Sequence, residues 1–142
     1  MTDIEAAIAA LRGHTLALCK NGELLTSDKR GVSPMADYLT EGRDLSGFSA
    51  ADVIVGKAAA MLFIKAGIKE IYAEVISTSA EKLLKKHAIP FSFGSETEKI
   101  LNRDKTGICP MENAVSDTDD TEEGFKRISE KLMLLRNKSI TR

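Results

Sequence analysis

A chain of 142 residues fits one domain with its own core, and 43% apolar against 29% charged residues is the balance of a globular protein. A formal net charge of −1 without a long single-sign run leaves no footprint for nucleic acid or a charged membrane surface, and no apolar run reaches the ~20 residues that cross a bilayer. Only two cysteines, Cys19 and Cys109, exclude a disulfide framework, and the start MTDIEAAIAALRG lacks the basic-then-apolar pattern of a signal peptide, so a cytoplasmic protein of prokaryotic type is expected.

In chain order, Thr2-x-x-Glu5 is a capping box, Ile4, Ile8 and Leu11 follow at helical spacing, and Gly13 stops the helix. TLALCK-NG-ELLTSD is a hairpin with Asn21-Gly22 as its turn. Its first strand is apolar on both faces, Leu16 and Leu18 on one and Ala17 and Cys19 on the other, as in a strand covered on two sides. VSPMADYLTEG is a short helix with Ser33 as N-cap, Pro34 at the first helical position and Gly42 as terminator. RDLSGF is a loop. Ser49-x-x-Asp52 resembles a capping box, and helix is expected from about Ala50 to Ala66, ended by Gly67. The competing reading is a short strand Val53–Val55 with the helix opening at Gly56.

EIYAEVIS is β-rich. TSAEKLLKKHA is an amphipathic helix with Leu83, Leu84 and Ala88 inward and its lysines in water. IPFSF is a short strand, SETEKILN one or two helical turns, RDKTG a loop, and PMENAVSD the start of a helix. DTDDTEEGFKRISEKLMLLRN closes the chain on a stripe of Phe125, Ile128, Leu132 and Leu135. The organisation is one domain over residues 1–137 with a flexible tail, 138–142. Strands alternating with helices after a hairpin give a mixed sheet flanked by helices.

Several chemistries fail on spacing. VGKAAA invites a P-loop reading, but Ala51 stands where the first glycine is needed and Ala58 where the magnesium-holding hydroxyl is needed. That leaves Gly56 as a helix packing point with Lys57 snorkelling, or Lys57 near a helix start facing an anionic ligand. His14 and His87 both fall at helix ends, and no His-x-Glu or Cys-x-x-Cys occurs, so no metal and no cofactor is expected. Asp28, Glu74 and the acidic SDTDDTEE read as hairpin-end, strand-edge and capping residues.

TGICPMENAV puts Cys109 directly before Pro110, as an N-cap, where a thiol senses the positive helix end. Glu112, at the third helical position, is placed to bond back to the backbone of Cys109. Cys109 is then either a small buried hydrophobe or a reactive thiol with Glu112 beside it, the two catalytic candidates. NRDKTG is either a solvated loop or a ligand contact through Asn102 and Arg103.

DVIVGKAAAMLFIKAGIKEIYAEVIS followed by LNRDKTGICPMENAV resembles a small prokaryotic family of domains of unknown function that is grouped with the cytidine-deaminase-like fold. The resemblance runs from the hairpin to about Val115. It implies an α/β fold, a three-layer α/β/α arrangement with a central mixed sheet, and no particular activity. Zinc deaminases carry a His-or-Cys-Ala-Glu motif at one helix start and Pro-Cys-x-x-Cys at the next. The matching helix starts here read VGKAAA and STSAEKLL, and ICPME has the wrong order and spacing for the second motif, so nothing activates a water.

The leading expectation is a zinc-free, deaminase-like domain binding a small polar or nucleotide-like ligand. Lys57 supplies charge, Ser77, Thr78 and Ser79 hydroxyls and helix-start N–H groups, and Asn102, Arg103 and Cys109 close the pocket. An enzyme using Cys109 as nucleophile or redox thiol and a homodimeric interaction module are the alternatives.

Overall fold

The structure, a computed structural model, describes residues 1–102 and 104–141, with side chains to residue 137. The elements are α1 (Asp3–Leu11), β1 (Leu16–Lys20), β2 (Glu23–Ser27), α2 (Ser33–Thr40), β3 (Ser49–Val55), α3 (Lys57–Ala66), β4 (Glu70–Ser77), α4 (Thr78–Lys86), β5 (Phe91–Thr97), α5 (Pro110–Ala114) and α6 (Thr121–Thr141). The expected tail begins at residue 138, where the backbone is still within α6 and the side chains lie outside the described residues.

The strands form one mixed sheet in the order β2-β1-β3-β4-β5. The hairpin β2-β1 and the pair β1-β3 are antiparallel, and β3-β4 and β4-β5 are parallel. Asn21 and Gly22 both take positive φ, the geometry a type I′ hairpin turn demands. β1 is covered on both sides as its apolar pattern requires. Leu16 and Leu18 enter the main core, while Ala17 and Cys19 pack with Ala51 against Ala7 and Leu11 of α1. Helix α1 thus covers one face of the β1–β3 half, and the main core, centred on α3, fills the other face.

Several expectations are corrected. The segment from Ser49 to Val55 is a full strand rather than the start of a helix, and Ser49-x-x-Asp52 caps nothing. An unbroken apolar run satisfies a doubly covered strand and a buried helix equally, and here the run serves first as one and then as the other. The helix opens at Lys57 with Gly56 as its N-cap, one residue later than the competing reading placed it. SETEKILN is not helical: β5 continues to Thr97, and Leu101 then bridges to Ile108. Ala88 takes positive φ beyond the end of α4 and is exposed rather than inward. At α2 the shift is a single residue: Val32, not Ser33, is the N-cap, with no side-chain bond.

The sheet carries a transverse irregularity. The main core takes Ile71, Ala73 and then Ile76 from β4, and Ala50 and then Val55 from β3, so the alternation slips once in each strand. Val53, Glu74 and Gly94 lie at that level without ladder partners, although the register on either side is unchanged. Gly94 is where the backbones crowd: a Cβ there would stand 2.9 Å from the Glu74 carbonyl oxygen.

Candidate functional site

Parallel strands present their carboxyl ends together, and the helices that follow begin there. After β3 comes Gly56 and the start of α3; after β4 comes Ser77 and the start of α4. Ser77 is fully buried and is the N-cap of α4, accepting from Ala80 N at 3.1 Å.

The start of α3 has no cap of its own, because Gly56 offers no side chain. Its cap arrives from α5. Glu112 Oε1 accepts from Lys57 N at 2.7 Å and Oε2 from Ala58 N at 2.8 Å. A carboxylate against two free N–H groups at a helix start gains charge-assisted bonds and the favourable helix dipole. It also fills the place where an external anion would otherwise sit. A Cβ on Gly56 would collide with this carboxylate, which accounts for the glycine. VGKAAA and CPME are therefore two halves of one clip, and Glu112 does not reach back to its own helix start as its spacing suggested.

Lys57 turns its side chain away from the clip and into a groove of about 210 Å³ lined by Lys57, Ser79, Lys82, Leu83, Lys86 and Asp119. Lys57 Nζ stands 2.9 Å from Asp119 Oδ1 and donates to the Ser116 carbonyl at 3.4 Å. Lys86 Nζ is 3.3 Å from Asp119 Oδ2. One carboxylate thus bridges two ammonium groups, and hydrogen bonds from Lys57 and then Lys86 hold its pKa below the usual range. Lys82 has no ion-pair or hydrogen-bond partner among the described residues.

Of the expected site residues, Lys57 and Ser79 share this groove. Thr78 Oγ1 donates to the Glu98 carbonyl at 3.4 Å. Asn102 braces a turn, accepting from Thr106 N at 3.0 Å and donating to Thr106 Oγ1 at 3.2 Å. Arg103 lies outside the described residues. Cys109 is the N-cap of α5, makes no side-chain cap bond and is half-buried against the main core. Sequence reasoning missed Lys82, Lys86 and Asp119. The Ser79, Lys82, Lys86 spacing, one helix face, was the available signal, but a lysine-bearing face ordinarily reads as solvated.

Two buried carboxyls sit outside the groove. Asp52, in the middle of β3, is pushed up to about 8 by burial, against the pull of the Val53 and Ile54 N–H groups. Glu81, in the first turn of α4, is raised by its side-chain hydrogen bond with Glu96 near the end of β5 and by burial. Among the described residues no group of three or more His, Cys, Asp or Glu side chains could hold a metal ion, and no helix is long and apolar enough to cross a membrane.

The profile of a domain of unknown function, DUF1893, also named TM1506, matches residues 7–132. A crystal structure of a DUF1893 family protein, TM1506 from Thermotoga maritima, is similar at 26% identity over 92% of this chain and 91% of that one, with a TM-score of 0.82. No curated protein matches the chain.

Proposed function

Because the chain belongs to the DUF1893 family, a domain of unknown function, we propose a function from its own geometry: a zinc-free, deaminase-like domain that binds a small anionic, nucleotide-like ligand in the α3–α4 groove. The observation that carries the reading is the convergence of Lys57, Lys82 and Lys86 on one concavity whose lining holds a single carboxylate, Asp119. Ser79 adds a hydroxyl, and Leu83 gives an apolar patch on which the uncharged part of a ligand rests. The deaminase-like part rests on the two helix starts at the carboxyl ends of β3 and β4, where a metal-dependent relative would place its ligands. Here one start is closed by Glu112 and the other by Ser77, so binding without hydrolysis is the consistent reading.

The test is a thermal-shift series with nucleoside mono- and diphosphates against their uncharged nucleosides. Charged members should raise Tm by several degrees at millimolar concentration, and Lys86→Met should abolish the rise. A flat response across the series rejects the reading.

A second reading, self-association as a homodimer, is favoured by β5: among the described residues its outer edge is unpaired over seven residues, and it holds no lysine or proline to discourage pairing. Sedimentation at micromolar concentration tests it, and a monomer rejects it. The reading of Cys109 as a reactive thiol is tested by alkylation rate against pH in the Cys19→Ala protein. Slow reaction at every pH below the ordinary thiol range identifies a structural cysteine.

A further inference from the structure

We propose that Asp119 is a built-in stand-in for the anionic group of the ligand, and that a phosphate monoester displaces it from Lys57 and Lys86. This rests on the groove reading above and specifies its ligand class and its gate.

The ion pairs are asymmetric in exposure. The Lys57 side chain is only 13% exposed, whereas its counter-ion Asp119 is 52% exposed. Both side-chain partners of Lys57, the Asp119 carboxylate and the Ser116 carbonyl, belong to the same segment between α5 and α6. Asp119 reaches water at little cost when it leaves, but Lys57 left behind is a largely buried cation that has lost its ion-pair partner and keeps only the long bond to the Ser116 carbonyl. The groove therefore opens only when another anion takes over the bridge. Neighbouring anchors confine the movement: Asp117 pairs with Arg127, and Asp120 caps α6 by accepting from Glu122 N and Glu123 N at 2.9 and 3.1 Å. Asp119 lies between these two fixed points and swings without disturbing α6.

The charge count selects the ligand. In the groove's lining three ammonium groups face one carboxylate, an excess of two positive charges; nearby Asp117 is already paired with Arg127. A free monocarboxylate carries no more charge than Asp119, and Asp119 is tethered at high effective concentration. A phosphate monoester near pH 8 carries about two negative charges and three acceptor oxygens, enough to engage Lys57 and Lys86 and also Lys82.

The experiment is amide NMR on the full chain, titrated at pH 8 with inorganic phosphate and, at matched ionic strength, with acetate. In the wild type, phosphate should move the signals of Ser79 and Lys82 and, in the same titration, those of residues 116–119; acetate should move neither. Asp119→Asn should bind phosphate about fivefold more tightly, the scale of a half-exposed ion pair, and its resting 116–119 signals should already resemble the phosphate-saturated wild type. Asp119→Glu, which keeps the competing charge, should bind as the wild type does. Phosphate moving Ser79 and Lys82 while residues 116–119 stay still, or unchanged affinity in Asp119→Asn, overturns the gate and leaves the groove reading standing. No response to phosphate in either wild type or Asp119→Asn overturns both. Should Asp119→Asn fail to fold, the wild-type titration alone decides, because the gate requires the two sets of signals to move together.

Discussion

Glu112 carries more of the fold than its position in a five-residue helix suggests. Its carboxylate satisfies two N–H groups that Gly56 cannot cap, and glycine is what leaves room for it. Glu112→Ala should therefore lower stability by ~1–3 kcal/mol, the range for leaving part-buried donors unsatisfied. Gly56→Ala should cost a similar amount by evicting the same carboxylate. The informative measurement is the double variant: if one clip is lost in both cases, urea midpoints will show the second substitution costing little once the first is made. Full additivity refutes the shared mechanism. The role of this residue was half legible in the sequence. The acid three places after Cys109 was visible, but its partner, more than fifty residues away, was not, because helix-start chemistry looks local until the fold brings another element over it. The same holds for Asp119, which reads as one of several caps in SDTDDTEE; Asp120 does cap α6, whereas Asp119 bridges two lysines from other elements.

Among the elements, those with a local signature were read from sequence. The capping box of α1, the Asn21-Gly22 turn and β4 over Glu70–Ser77 all formed where turn chemistry or β-rich patterning placed them. The boundary between β3 and α3 did not show, because a stretch that is apolar on nearly every position carries neither periodicity. The end of β5 was missed for the opposite reason. Its residues are mostly exposed, so nothing apolar marks them, and ladder bonds to β4 alone extend the strand to Thr97. The transverse irregularity gives this level a prediction of its own. Gly94→Val sets a Cβ within 2.9 Å of a main-chain oxygen, which cannot rotate away as a side chain could. It should destabilise by ~1–3 kcal/mol or more, whereas Gly124→Ala, facing only the flexible Met61, should cost less. Equal urea midpoints for these variants contradict the close approach.

For the whole molecule the pH dependence of stability is set in part by Asp52. Its carboxyl keeps its proton in the folded chain to about pH 8, yet in the unfolded chain it ionises near its ordinary value of 3.8. Between those limits the folded state binds the extra proton, so its contribution is greatest at low pH and is lost as pH rises. Glu81 acts in the same direction. Urea titrations from pH 5 to 9 should show stability falling with pH for the wild type and a shallower fall for Asp52→Asn; identical slopes count against a buried, protonated Asp52. Elemental analysis of purified protein should find no stoichiometric zinc, and about one tightly held zinc per chain contradicts the zinc-free reading.

The arrangement of helices around α3 has a consequence for how the molecule opens. Helices α5 and α6 dock on α3, and the Glu112 clip and the Lys65–Glu122 pair fasten them there. The chain from α5 onward is thus hung chiefly from α3, with Arg136–Asp37 tying α6 to α2 and Lys86–Asp119 tying its lead-in segment to α4, rather than woven into the sheet. Such a unit can come away while the strands stay paired, a sub-global opening whose free energy lies below that of full unfolding. Native-state amide exchange should then release α6 as a block, ahead of β3 and β4, with Glu112→Ala bringing that release to milder denaturant. Each opening bares Met61, fully buried at rest against Gly124 of α6, so the latch also governs how often the chain shows its core to its neighbours.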